Sequence, residues 1–299
     1  MKLQQLEVFV AVARERSLRA AARRLALTQP AVTRSIQELE ADLGAVLMNR
    51  SVKGVDLTPA GQALEVRAGQ LLEDARRARE EIEQLQGELR GRLSFGTTSS
   101  IALALLPQAI QQFRQAAPLA ELSITELKFP QGAQRLRDGQ VDFAATHMLP
   151  DMLDEDLRSI PLLETEFVAM ARAGHPLIGA RTLAELVDAE WLQPLTDEAR
   201  PSSVVARAFS EAGLPPPRGM VRYASLAVML ALVSSTDMLG AASRPLAQRL
   251  AAFGLQPVQL QAPLARVQMG VVMRRSYRPT PMATQFLSCL QTAARAAQA

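Results

Sequence analysis

Residues 17–39 read SLRAAARRLALTQPAVTRSIQEL, and this stretch decides the fold of the amino-terminal part of the chain. Ser17 is a hydroxyl suited to cap a helix, and Leu18, Ala21, Ala22 and Leu25 give that short helix a small inner face. After a three-residue break, Thr28 caps a second helix whose first turn tolerates Pro30, because the amide it lacks would be unpaired there anyway. Val32, Ile36, Leu39 and Leu43 step by four, three and four and form one apolar stripe. Gln29, Thr33 and Gln37 share a different face, with Arg34 beside them. Amides suit adenine, guanidinium suits guanine, and hydroxyls serve base or phosphate. The reading is a helix-turn-helix whose second helix enters DNA; the competing one is a plain helical hairpin with a solvated face.

The flanks favour DNA. Leu3, Leu6, Phe9, Val10 and Ala13 supply a first amphipathic helix, and Gly44 is placed to stop the recognition helix. Val46–Met48 and Val55–Leu57 flank a polar tip, residues 49–54, which reads as a wing with Gly54 supplying the turn. Residues 1–55 hold nine Lys and Arg against five acids, whereas the whole chain is only +3. A basic head on a nearly neutral body fits phosphate binding. The candidate DNA-binding set is Ser17, Arg19, Thr28, Gln29, Pro30, Thr33, Arg34, Gln37, Arg50 and Lys53, the last two gripping phosphate from the wing.

Thr58-Pro59 starts a long helix, and Leu64, Ala68, Leu71, Ala75, Ala78, Ile82, Leu85 and Leu89 alternate by four and three. That strict period of 3.5 predicts a dimer seam rather than a stripe facing the chain's own body. From about Arg92 the period changes to a βαβαβ run, with strands near Leu93–Phe95, Leu122–Leu127 and Val141–Ala145 and helices between. Further strands are expected near Phe167–Ala171, Met238–Ala241, Pro257–Leu260 and Val267–Met273, and further helices near Leu183–Val187, Val204–Ala212, Leu226–Val233 and Pro281–Ala297.

Composition narrows the function classes. Apolar residues make up 48% of 299, enough for two to three domains with real cores. No apolar run approaches a membrane span and no signal peptide is evident, so the cytoplasm is the expected compartment. The single cysteine, Cys289, excludes an intrachain disulfide and a cysteine-based metal site. Walker, zinc, dinucleotide and nucleophile-elbow signatures are all missing, so no cofactor, no metal and no catalytic residue is expected.

The run Phe9, Ser17-Leu18-x-Ala20-Ala21-Ala22, Thr28-Gln29-Pro30-Ala31-Val32, Leu39-Glu40, Leu43-Gly44 and Leu57-Thr58-x-x-Gly61 resembles the LysR-type transcriptional regulators. Met48-Asn49-Arg50 stands where the family has Phe-x-Arg. Leu105-Leu106-Pro107, Leu136-x-x-Gly139-x-x-Asp142-Phe143-Ala144 and His175-Pro176-Leu177 extend the resemblance, while Ser234–Gly240 replaces the family's Ala-Gly-x-Gly-Ile. Ser17–Ala22 and Ile101–Ala104 resemble the branch responding to aromatic acids and toluenesulfonate.

The resemblance implies an α+β multidomain chain. Residues 1–58 would be a winged helix-turn-helix, 59–91 a linker and dimerisation helix, and 92–299 a periplasmic-binding-protein-like effector domain of two α/β lobes, 92–161 with 266–299 and 162–265. It implies an inverted-repeat promoter site in double-stranded DNA, a small-molecule effector, and a homodimer through antiparallel linker helices, with dimer and tetramer both open. Thr98, Ser99 and Ser100 end a strand and open a helix, Ser202 lies at a second helix start, Phe129 offers an apolar wall, and Thr146 and His147 follow a strand. His147 is expected in a solvated loop, with a charge that varies near neutral pH. That chemistry suits a small carboxylate or sulfonate. Two other readings stay open: a ligand-independent DNA-organising protein, and an enzyme carrying a DNA-binding head.

Overall fold

The computed structural model describes residues 1–299 except 52–53, 88, 128–131, 149–152, 196–202 and 298–299. The chain divides into two compact units, Met1–Gly91 with Gln134–Val141, and Arg92–Ala133 with Asp142–Ala299. Among the described residues no helix is long and apolar enough to cross a membrane.

In the first unit, α1 (Leu3–Glu15), α2 (Leu18–Arg24) and α3 (Gln29–Leu43) close on Phe9, Val12, Val32, Ile36 and Leu39, none more than 2% exposed. Each such side chain contributes about 1.5–3 kcal/mol over its exposed state. The hydroxyl of Ser17 accepts the Ala20 amide at 3.3 Å and that of Thr28 accepts the Ala31 amide at 3.4 Å. Gly44 ends α3 in the left-handed region at φ 64°. Leu43, expected on the buried stripe, is 40% exposed: it is the last residue of the helix and falls outside the cluster holding Val32, Ile36 and Leu39.

The wing is an antiparallel pair, β1 (Met48–Ser51) and β2 (Gly54–Leu57), with Met48 opposite Leu57 and Ser51 opposite Gly54. Gly54 has φ 127°, and a Cβ there would stand 2.7 Å from the Arg16 carbonyl oxygen. The neighbouring Val55 amide donates to that same oxygen at 2.9 Å. Glycine is therefore required for a close approach to the α1–α2 turn as well as for the bend.

Helix α4 (Pro59–Leu85) is seated on the wing by its first turn. Thr58 accepts the Gly61 amide at 3.0 Å and donates its hydroxyl to the Val46 carbonyl at 2.7 Å. A Cβ on Gly61 would stand 2.1 Å from the Leu47 carbonyl oxygen, which explains the Leu57-Thr58-x-x-Gly61 run. The seam divides in use. Ala68 is buried and Leu64 packs on the head, whereas Leu71, Ile82 and Leu85 are 44%, 61% and 73% exposed. The helix ends before Gly87, which takes φ 104°, so Leu89 lies past it rather than on the seam.

Another face of α4 carries polar residues seven apart. Gln70 donates to the Arg137 carbonyl, Arg77 to that of Gly139 at 3.4 Å, and Gln84 to that of Arg90 at 2.9 Å. Arg77 is buried, with Asp74 at 3.0 Å and Glu73 at 3.4 Å.

The second unit holds a seven-stranded sheet. Strand β3 (Arg92–Thr97) pairs in parallel with β4 (Glu121–Glu126) and β5 (Phe143–Met148), as the βαβαβ pattern requires. Helices α5 (Ser99–Ala116) and α6 (Ala133–Arg137) intervene in the chain. β11 (Ala265–Arg274) pairs antiparallel with the Leu157–Phe167 part of β6 (Leu157–Arg172), and β11 also pairs with β5. β9 (Gly240–Ser243) and β10 (Leu255–Pro257) both pair with the later part of β6. β7 (Glu190–Pro194) and β8 (Gly219–Tyr223) form a separate parallel pair.

Helices cover both faces of the later part of β6. Ala169 and Ala171 face a cluster with Trp191 and Phe209 of α7 (Val204–Glu211), while Val168 and Met170 face one with Met229 of α8 (Leu226–Ser235) and Leu246 of α9 (Arg244–Leu250). At the other end, Phe286 of α10 (Pro281–Ala296) lies 4.7 Å from Phe95 and 5.2 Å from Phe113, ring centre to ring centre.

Candidate DNA-reading face and effector site

On α3, Gln29, Arg34 and Gln37 are exposed and Thr33 is half-buried, so the four lie off the buried stripe. The Arg34 side chain is 83% exposed and donates to Glu38 at 2.9 Å, four residues along the helix. Gln5 of α1 also reaches Glu38, at 3.5 Å. An exposed pair of this kind contributes about 0.3–0.5 kcal/mol, so Arg34 leaves it readily for a base or phosphate. Arg19 and Pro30 are exposed beside this face. The hydroxyls of Ser17 and Thr28 are engaged in capping. The Arg50 backbone lies in β1 opposite Val55; its side chain and all of Lys53 lie outside the described residues.

In the second unit the chain brings together Thr98, Ser100 and His147. Thr98 heads α5 but its side chain caps no amide. Its hydroxyl lies 3.2 Å from that of Ser100, which in turn lies 3.4 Å from Nδ1 of His147. Ser99 turns elsewhere and donates to Glu126, a residue the sequence reading did not single out. Glu126 stands opposite Thr97 in the parallel register of β3 and β4, and only that pairing brings it to the head of α5. Thr146 is buried, and its hydroxyl donates to the His147 carbonyl at 3.3 Å. Phe129 and Ser202 lie outside the described residues; the observed cap of α7 is Ser203, which accepts the Ala206 amide at 3.2 Å.

Two expectations for His147 are overturned. It is a strand residue of β5 opposite Met269 of β11, not a loop residue, because pairing with β11 carries the strand to Met148. Its ring lies 5.2 Å from that of Phe167, and Nε2 is buried without a hydrogen-bond partner among the described residues. Burial pushes its pKa down to about 4, so the imidazole is neutral at neutral pH. His175, by contrast, is tied down on both sides: Nδ1 accepts the Leu177 amide and Nε2 donates to the Asp237 carbonyl, each at 2.9 Å.

Comparison with known proteins agrees with this architecture. The helix-turn-helix model of the lysR family of bacterial regulatory proteins matches residues 3–62, and the LysR substrate binding domain model matches residues 86–295. The HTH-type transcriptional regulator GalR of Pseudomonas putida is 31% identical over 289 residues, which is 96% of this chain and 72% of that protein. The HTH-type transcriptional regulator GbpR of Azospirillum brasilense is 34% identical over 255 residues, 83% of this chain and 73% of that one. The solved structure of full-length CbnR complexed with its target DNA shares the fold, with a TM-score of 0.70 at 24% identity, over 98% of this chain and all of that chain (100%).

Proposed function

The chain belongs to the LysR family of transcriptional regulators, and from that premise we propose how its two units divide the work. The head, residues 1–58, reads an inverted-repeat promoter site through Gln29, Thr33, Arg34 and Gln37, with Arg50 and Lys53 on phosphate. Residues 59–91 pair with a second copy through Leu71, Ile82 and Leu85. Residues 92–299 hold a small organic acid in a two-lobed domain, lobes 92–161 with 266–299 and 162–265. The compartment is the cytoplasm, where a regulator meets its promoter.

The observation that carries the DNA reading is the division of α3 into a stripe at most 2% exposed and a polar face turned outward. Footprinting of Arg34→Ala on target and random DNA tests it. The expected loss on the target is about 1–3 kcal/mol, with relaxed specificity. An unchanged preference for the target sinks the assignment.

Thr98, Ser100 and His147 supply an uncharged hydrogen-bonding cluster in the effector domain. Ser100 and His147 also have nearly the spacing of a nucleophile and its base, but a histidine held at about 4, with no partner on Nε2 among the described residues, is a poor base at neutral pH. Binding without turnover is the better reading, in keeping with the regulator names of the relatives.

A further inference from the structure

Among the described residues the hydroxyl cluster brings no cation to an acid. The second unit holds a cavity that does. Between β6, β11 and α9 lies a space of about 720 Å³, within the range of small-molecule sites. Its apolar wall is made by Met148, Leu153, Leu163, Pro245 and Val267, and none of Thr98, Ser99, Ser100, Thr146 or His147 lines it.

On the polar side, two arginines converge on one carboxylate. Arg266 stands directly opposite Glu166 across the β6–β11 pair, its Nε 3.7 Å from the carboxylate. Arg244, at the start of α9, donates to the same carboxylate at 2.8 Å. The side chains of Arg244 and Arg266 are 57% and 83% exposed, so both keep donors open to solvent. A guanidinium offers five donors in a fixed fork, and one carboxylate cannot fill two forks.

We propose that this cavity binds a small organic acid, its carboxylate joining Glu166 between Arg244 and Arg266 and its apolar body lying along Leu163 and Met148. Because the two arginines lie on β11 and α9 and the carboxylate on β6, an acid bound there ties three elements together. The proposal rests on the effector-domain reading and places the charge clamp in a site apart from the Thr98, Ser100 and His147 cluster.

The test measures binding of benzoate, hexanoate and the uncharged benzamide to the full chain by calorimetry and thermal shift. Footprinting without added acid establishes that every variant folds and binds DNA. Wild type should bind benzoate or hexanoate and favour the acid over benzamide by about tenfold. Arg244→Gln with Arg266→Gln should lose at least about tenfold in acid binding. Glu166→Gln, which removes the competing carboxylate, should strengthen it. Thr98→Val with Ser100→Ala should leave the preference for acid over amide intact.

Unaltered acid binding in the double arginine variant overturns the proposal, as does weaker binding in Glu166→Gln or a wild type that ignores both acids. Loss of the acid preference only in the Thr98–Ser100 variant places the acid at the head of α5; the clamp then falls while the effector domain stands.

Discussion

Thr28 and Thr98 head two helices with almost the same backbone, φ −81° and ψ 149° against φ −82° and ψ 151°. They use it differently. Thr28 gives its hydroxyl to the helix it begins, and the outward face of α3 is left free for another molecule. Thr98 withholds its hydroxyl from α5, and a chain of polar contacts runs instead to Ser100 and His147. Thr58 and Thr280 cap their helices as Thr28 does. A capped start spends its polar group on stability, whereas the start of α5 leaves its hydroxyl to the side chain of Ser100.

Four measurements would sharpen or break that contrast. The largest effects concern how each region is seated. Gly61→Ala drives a Cβ into the Leu47 carbonyl and should cost about 3 kcal/mol, read as a lowered denaturation midpoint of the head. The His147 site should respond to acid on a similar scale. Its folded pKa, about 4, lies below the ordinary 6.5, so the unfolded chain binds the extra proton first. The stability from a neutral imidazole is then fully present above pH 6.5 and lost as pH falls towards 4, on the order of 3 kcal/mol. Thermal unfolding between pH 7 and 4.5 should show wild type losing ground to His147→Gln; parallel curves would mean the ring is not buried neutral.

The middle effect tests the two threonines directly. Thr28→Ala should cost about 1 kcal/mol through the lost cap, and Thr98→Ala only a few tenths of that, by chemical denaturation. Equal losses would erase the contrast. The smallest concerns the free face: Arg34→Ala should change stability by at most about 0.5 kcal/mol, because its partner among the described residues is an exposed neighbour one turn away. A larger loss would make Arg34 part of the head's framework rather than a group held ready for DNA.

The same contrast explains what was legible in the residues. Caps, helical stripes and the Gly44 stop are local, so α1, α2, α3 and α10 stand within a residue or two of where the pattern puts them. What depends on a partner far along the chain was not legible. Glu126 meets Ser99 only through strand register, and His147 is a strand residue only because β11 pairs with it. The first part of β6 escaped because Pro161, Glu164 and Glu166 interrupt any apolar alternation, although the backbone there pairs along β11. Arg77 falls off the apolar seam of its helix, yet it is buried and meets the carbonyl of Gly139, sixty-two residues away.

The contact of Gly61 with Leu47 has a mechanical meaning. A 27-residue helix is a rod about 40 Å long, and this one is fixed to the wing at its first turn. Tilting such a rod by about 5° around its far end sweeps the near end through about 3.5 Å, close to one base-pair step of about 3.4 Å. With no side chain at Gly61 to act as a cushion, little of that motion is absorbed before it reaches the hairpin. The joint is a close backbone contact, so a tilt of the rod passes to the hairpin with little play.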